Sequence, residues 1–405
     1  MSTALLYHGF EIEGYSLSDE IVGERGVITM RIAQDPRTLR CSNCRSRKVT
    51  RRGTVTRLFR TVPIGKRRVF LELPVQRVEC HRCGLVAQVR IAFAGWRLTY
   101  AYAFEQYALE LLRMGTIQDV ALHLGVSWDV IKDIQKRNLK RRFGRPKLDK
   151  LRTIAIDEIS IGKGHHYLTV VLDLDSGAVV FVGDGKGADA LKPFWRKLGP
   201  HAAKIKAVAM DMSPAYTSAV MTNLPKAAIV YDHFHITKLF NHKLSELRRD
   251  MHREAQDIME KKVLKGTRWL LLKNPENLDP KHNELQRLEE ALRINKPLAA
   301  AYYMKEELRQ FWLKTSRAAA QRFLNDWIAR AEVSGVKALQ QMAKVLASHS
   351  WGLLNYYDHM ISTAALEGTN TKIRVMQRQA YGFRDYKFFK LKILALHESK
   401  YALVG

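Results

Sequence analysis

Residues 153–161 read TIAIDEISI. An apolar, β-rich run of this length reads as a buried strand, and it carries two adjacent acids, Asp157 and Glu158. Successive side chains of a strand point to opposite faces, so only one of the two can meet acids from elsewhere in the chain. Asp157 is the candidate, because it ends the apolar TIAI run in the register of a site acid. Working downstream, HYLTVVLDLD (166–175) and AVVFVGDG (178–185) read as two more strands. Gly162 and Gly164 fall in the first gap and Asp175-Ser176-Gly177 in the second, which predicts an antiparallel meander. Then come a helix, ADALKPFWRKL (188–198), a strand, KIKAVAMDM (204–212), a helix, SPAYTSAVMTNL (213–224), and a strand, AAIVYDHFH (227–235).

The order βββαβαβ predicts a ribonuclease-H-like α/β core. That architecture gathers acids from the middle of its first strand, the end of its fourth and a later helix. Here those places hold Asp157, Asp211 and Glu367. Glu367 opens the stretch LEGTNTKIRVMQRQAYGF (366–383), whose other charges are basic: Lys372, Arg374 and Arg378. In a helix, positions 367, 371, 374 and 378 share one face. Glu367 would hold metal near the helix start, and the basic residues would run along a DNA backbone. Hard divalent ions prefer oxygen ligands, so the expected cofactor is Mg²⁺ or Mn²⁺, two per active site. Asp232 and His235 of YDHFH are read as residues that support the site or position DNA, with His233, and not as ligands. Residues 236–360 show no convincing strand and several helical patterns, so the core is expected to be interrupted by an all-helical insertion.

Upstream, the four cysteines form two pairs, Cys41-Ser-Asn-Cys44 and Cys80-His-Arg-Cys83, separated by 35 residues. Each pair can present two thiolates to one tetrahedral ion, so one structural Zn²⁺ is expected. VTRRGTVTRLFRTV and RRVFLELPVQRVEC between them alternate apolar with basic residues, as a hairpin with one positive face would. The segment 40–98 holds 15 Lys or Arg against two Glu, whereas residues 1–39 hold three basic and six acidic residues.

Next, TYAYAFEQYALELLRM reads as an amphipathic helix ended by Gly115, followed by TIQDVALHL, the turn GVS and WDVIKDIQKRNLKRRF. Thr116 and Ser127 are the N-cap candidates. This is a helix-turn-helix pattern. Its second helix would offer Lys132, Gln135, Lys136 and Arg137, with Trp128, to DNA, while Ile131 and Ile134 face the core.

The whole chain carries 67 Lys and Arg against 40 Asp and Glu, a net charge of +27. Such an excess points to nucleic acid. No apolar stretch reaches the roughly 18 residues of a membrane span, and the first residues lack the pattern of a signal peptide, so a cytoplasmic location is expected.

Taken together, Asp157-Glu158, Asp211-Met-Ser-Pro-Ala-Tyr216, Asp232-His-Phe-His235, Glu367-Gly-Thr-Asn370, Arg374 and Gly382-Phe383 resemble DDE transposases of the ISL-three insertion-sequence family over roughly residues 38–400. The resemblance implies that Asp157, Asp211 and Glu367 form the catalytic triad. It implies a bacterial, nucleoid-associated enzyme that moves DNA between inverted terminal repeats. Its partners would be double-stranded DNA, both transposon ends and target, and a second copy of the chain in a homodimer.

The expected fold class is therefore multidomain α+β. It comprises a lead-in (1–39), a zinc-ribbon-like module (40–98), a helix-turn-helix with linker (99–150) and the first part of the core (151–240). The helical insertion (241–360) and the closing helices (361–405) follow. Two rivals remain at this level: a DNA-binding regulator that kept the fold, and a nuclease that cuts without joining ends.

Overall fold

The computed structural model describes residues 5–162, 164 and 166–396. The chain forms two compact units, residues 1–142 and 143–405.

The first unit is built on a sheet. Strands β1 (Tyr15–Val22) and β2 (Ile28–Gln34) are followed by the long strands β3 (Val49–Ile64) and β4 (Arg67–Cys80) and by the short β5 (Val86–Gln88). The order is β1-β2-β4-β3, with β5 also on β4. β3 and β4 are the antiparallel hairpin predicted between the cysteine pairs. The lead-in is not separate from it. β2 lies parallel to β4, pairing Met30 with Leu71, and one core joins Leu6, Phe10 and Met30 to Phe59, Leu71 and Phe93. A parallel partner some 40 residues away leaves no local sign in the sequence.

Helices α1 (Tyr102–Leu111), α2 (Ile117–Leu124) and α3 (Trp128–Phe143) close the unit. Thr116 caps α2 in a reciprocal capping box with Asp119, and Gly125 ends it at φ 61°, the left-handed conformation that a tight turn into α3 requires. Ile131 and Ile134 are buried as expected. Arg60 of β3 is buried and donates to the carbonyls of Val69 (3.4 Å) and Leu124 (3.3 Å), so it satisfies an orphan carbonyl at the end of α2 and ties the helices to the sheet.

The second unit contains β6 (Thr153–Ser160), β7 (Tyr167–Asp173), β8 (Val179–Asp184), α4 (Ala188–Leu198), β9 (Ala207–Met210), α5 (Pro214–Asn223) and β10 (Ala228–Tyr231). Its sheet runs β10-β9-β6-β7-β8, with β6, β9 and β10 parallel and β7 and β8 antiparallel. The YDHFH segment is strand only as far as Tyr231. Asp232 is the N-cap of α6 (His233–Glu254), its carboxylate accepting from the Phe234 amide.

Beyond α6, the chain folds into α7 (Ile258–Gly266), α8 (Glu284–Ile294), α9 (Lys296–Leu308), α10 (Arg317–Val333), α11 (Lys337–Leu354) and the short α12 (Tyr356–His359). Helices α13 (Ala364–Gln379) and α14 (Tyr386–Leu394) come last; residues 397–405 of the predicted closing segment lie outside the described residues.

The two faces of this sheet bury different sets. Ile154, Ile156, Val208, Met210 and Tyr231 share a core with α4, α5, α6 and the helices up to α11. Ala155, Ile159, Val170 and Ala209 pack against Leu366 and Ile373 of α13 and Phe389 and Ile393 of α14. The helices between α6 and α12 are thus no detached lobe; their core is continuous with one sheet face. Asn355 adds a hydrogen bond from its side chain to the Ile229 carbonyl at 2.9 Å.

Contact is closest at Gly352 of α11, where an added Cβ would meet Cδ2 of the buried Tyr231 at 2.4 Å. Gly352→Ala would gain about 1 kcal/mol of helix propensity, but overpacking costs about 1–3 kcal/mol. Because the ring is enclosed, sterics should win. The expected result is a lower urea midpoint; an unchanged or raised midpoint would contradict this packing.

Candidate active site and zinc site

The parallel strands fix the first geometry. Ile156 of β6 pairs with Met210 of β9, and Met210 pairs with Tyr231 of β10. The next residues along these strands are Asp157, Asp211 and Asp232. Three aspartates therefore stand in one row, at the ends of β9 and β10 and within β6. Alternation puts Asp157 on the face of Ala155 and Ile159, against α13. Glu158 falls on the opposite face with Ile156. There its charge acts on Tyr216, whose pKa burial, first of all, pushes up to about 12.

Each aspartate is engaged differently. Asp211 Oδ1 accepts from the Ser213 amide at 3.0 Å, in the turn that starts α5. Asp232, 2 % exposed, accepts from the Phe234 amide (3.1 Å), from the Thr363 amide (3.2 Å) and faces His235 Nδ1 at 3.3 Å. Burial would raise its pKa, but the His235 and Thr363 hydrogen bonds outweigh burial and lower it. Asp157 Oδ2 accepts from the side-chain amide of Asn370 at 2.8 Å. Burial is the main cause that pushes Asp157 up to about 6, and the charges of Asp211 and Glu158 add to it. The His235 imidazole is raised, chiefly by its bond to Asp232, with further help from Asp157 and Asp211.

Helix α13 crosses this row. Polar contacts hold it at three points seven residues apart: the Thr363 amide on Asp232, Asn370 on Asp157, and the Gln377 side chain on the Ile161 carbonyl. Leu366 and Ile373 are buried between them. Glu367 lies one turn after Thr363 and just under one turn before Asn370, in the first turn of the helix. It is exposed, as are Thr371, Lys372, Arg374 and Arg378. Among the described residues, the three predicted catalytic carboxylates are not gathered into a ligand group as the cysteines are. Asp157 and Asp211 are register neighbours on adjoining strands, and Glu367 is exposed on the pinned helix.

That ligand group lies in the first unit. The sulfurs of Cys41, Cys44, Cys80 and Cys83 all lie within 4.8 Å of one another. Cys41 and Cys83 are 3.6 Å apart, and Cys44 and Cys80 3.5 Å. A disulfide would need about 2.05 Å. A tetrahedral zinc–thiolate site, with Zn–S of about 2.3 Å, has edges of about 3.8 Å. The spacing and the soft sulfur donors fit zinc. The Cys80 thiol is raised by burial but held down to about 6 by the amides of Cys83 and Arg82 and by its sulfur neighbours. His81 instead meets the Thr50 hydroxyl at 2.7 Å, clear of the sulfurs.

Comparison with known proteins gives the same division. Residues 154–393 match the family described as "Transposase" of ISL3 elements. Residues 37–83 match the zinc finger of transposases of IS204, IS1001, IS1096 and IS1165, and residues 94–137 the helix-turn-helix domain of transposase family ISL3. The chain is 35 % identical to the transposase of insertion sequence element IS1001 from Bordetella parapertussis over 358 residues, 88 % of each chain. It is 28 % identical to the transposase of IS1557 from Mycobacterium tuberculosis over 403 residues, 92 % of this chain and 89 % of that one.

The chain belongs to the ISL3 family of transposases. The four cysteines of this ISL3 transposase form its zinc-ribbon site, and its helix-turn-helix is a DNA-binding domain. No helix among the described residues is long and apolar enough to cross a membrane.

On the second helix of that domain, Trp128 is exposed, with the Lys132 ammonium 5.0 Å from its ring centre. Lys136 is partly exposed. Of the other two residues expected at DNA, Arg137 is exposed and also bonded within the domain, and Gln135 is partly buried. Arg137 pairs with Glu105 at 2.6 Å and donates to the Tyr100 hydroxyl at 2.8 Å, tying α3 to α1. Gln135 buries its Oε1 without a partner.

Sequence reasoning missed Thr363 and Gln377, and named Asn370 only within the Glu367-Gly-Thr-Asn370 motif without giving it a role. Their spacing of seven, one polar residue every two turns around buried Leu366 and Ile373, is the signal that could have found them.

Two outcomes are expected. Elemental analysis should find one zinc per chain, and Cys80→Ser should lose it together with the fold of the hairpin; full zinc in that variant would contradict the four-sulfur site. The second concerns Asp157, whose folded pKa lies above the unfolded value. Its contribution to stability is complete below pH 3.8 and is lost as pH rises through about 6. Without added divalent cations, Asp157→Asn should therefore stabilise the protein at pH 7.5 by about 2–3 kcal/mol, with no gain near pH 4. Urea melts at the two pH values check this; a destabilised variant at pH 7.5 would contradict it.

Proposed function

We propose that the second unit is a ribonuclease-H-like core, interrupted by an all-helical insertion, in which Asp157, Asp211 and Glu367 bind two Mg²⁺ or Mn²⁺ ions. The strand order β10-β9-β6-β7-β8 and the long helical stretch before α13 support this reading. The observation that carries it is the register row. Asp157 and Asp211 stand side by side on adjoining parallel strands, on the face crossed by the helix that bears Glu367. Burial and like charge raise Asp157 to about 6, so this pair favours a cation that supplies what water does not. Ions about 3.5–4 Å apart need acids spread over more than one coordination sphere, which suits a third carboxylate set to the solvent side. When bound, the ions would activate the attacking oxygen and steady the leaving oxygen of a phosphodiester.

The chain's own groups do the rest. Asp157 and Asp211 provide hard oxygen ligands on rigid strands. Glu367 completes the set from α13, and Lys372, Arg374 and Arg378 continue along its exposed surface to hold the DNA backbone. Asp232 fastens the start of α13 to the end of β10 and fixes the orientation of His235, so both support the site without being ligands. The zinc-ribbon module and helix-turn-helix, with Lys132 and Lys136, bind the inverted repeat at the transposon end. Cleavage frees a 3′-OH, which is directed at a phosphodiester of the target. Joining two ends calls for two copies of the chain, so the working unit is a homodimer on DNA, in the bacterial cytoplasm at the nucleoid.

The test uses duplexes carrying the inverted repeats that flank the gene. Asp157→Ala, Asp211→Ala and Glu367→Ala should each lower cleavage by roughly a thousandfold or more, a scale typical for loss of a group that stabilises the transition state. Binding to the same duplex should persist. Wild-type cleavage in any of the three would overturn that residue's assignment, and loss of binding in all would point to a folding role.

A further inference from the structure

We propose that Asn370 is a positioning residue for the reaction: it locks the Asp157 carboxylate onto the helix that carries Glu367. This inference rests on the reading of Asp157 as a metal ligand. Asn370 is 3 % exposed and donates through Nδ2 to Asp157 Oδ2 at 2.8 Å, across 213 residues of sequence. A carboxylate with both oxygens free rotates about its last bond. Tying Oδ2 fixes that rotation and leaves Oδ1 for an ion shared with Asp211. The residue sits three positions after Glu367 on α13, so the same contact sets how far that helix stands from β6.

The side-chain type is specific. Aspartate at 370 would repel Asp157, alanine would leave it unpinned, and glutamine would push the helix away by a methylene. The other end of the amide gives an independent observation. Asn370 Oδ1 is buried and has no hydrogen-bond partner. Buried acceptors are nearly always satisfied, and the water shell of a hard cation carries outward-pointing hydrogens that suit an acceptor there. The amide thus has two uses, one hand on the carboxylate and one left for the loaded site. It is also the polar contact in the middle of the three along α13, where Leu366 and Ile373 alone would fix burial but not rotation.

The experiment uses the zinc-loaded full chain bound to a duplex carrying a flanking inverted repeat. Mn²⁺ binding is followed by electron paramagnetic resonance, and folding by thermal melting. Asn370→Leu keeps the shape and removes both hydrogen-bonding groups. It removes an unsatisfied buried oxygen but leaves Asp157 Oδ2 without its donor, so the two effects oppose and the melting temperature should change little. It should bind Mn²⁺ roughly 10–100-fold more weakly, the usual effect of losing a residue that orients a ligand. Added Mn²⁺ should restore part of the cleavage rate. Wild-type Mn²⁺ affinity in Asn370→Leu overturns the proposal. If both melting temperature and affinity fall, Asn370→Ser decides: its hydroxyl keeps a donor, so recovered affinity supports positioning and continued loss overturns it. Asp157→Asn is the control. Should it bind Mn²⁺ like the wild type, the assignment of Asp157 fails as well; should it lose the ion while Asn370→Leu keeps it, only the role of Asn370 falls.

Discussion

Acids in a row on adjoining strands repel, and the second unit is arranged around that repulsion. Asp157, Asp211 and Asp232 follow consecutive pairs of the β6, β9 and β10 register. Hydrophobic burial alone would not tolerate them there. The chain answers with polar partners at each point: the Ser213 amide at Asp211, two amides and His235 at Asp232, and Asn370 at Asp157. Asp232 is satisfied on all sides, and its pKa falls accordingly. Asp157 is not, and its pKa rises to about 6. That contrast separates a carboxylate whose hydrogen bonds outweigh its burial from one in which burial wins.

The same contacts dock the C-terminal helix. α13 reaches the sheet after more than 120 residues of helical chain, so its placement depends on long-range contacts rather than on a short loop. Leu366 and Ile373 bury its apolar side, and Thr363, Asn370 and Gln377 fix its rotation and height. A helix held this way presents Glu367 and the basic residues Lys372, Arg374 and Arg378 outward in a fixed order. The lone carboxylate of this otherwise positive surface sits in the first turn of the helix, with the cations in the turns that follow.

Much of this was legible in the sequence. Apolar runs and Gly-containing gaps marked the five strands of the second unit, and the capping signals of Thr116 and Gly125 marked the turn of the helix-turn-helix. The paired cysteines told of a four-sulfur site, whose sulfurs now lie 3.5–3.6 Å apart in two pairs. Strand alternation separated Asp157 from Glu158. What stayed hidden depended on distant partners. Nothing local says that β2 lies beside β4 and turns the lead-in into part of the zinc module's sheet. Nothing around Arg137 announces its ion pair with Glu105. Asp232 could have been read as an N-cap from the helical pattern after it, which would have shortened the predicted strand.

The central claim is that Asp157, Asp211 and Glu367 hold a pair of divalent ions. A crystal of the full chain with end DNA and Mn²⁺, measured at the manganese absorption edge, tests it most directly. The account predicts two anomalous peaks about 3.5–4 Å apart, bounded by those three carboxylates, with Asn370 still on Asp157. Peaks elsewhere, or a Glu367 side chain turned away from an ion held by other residues, would contradict it.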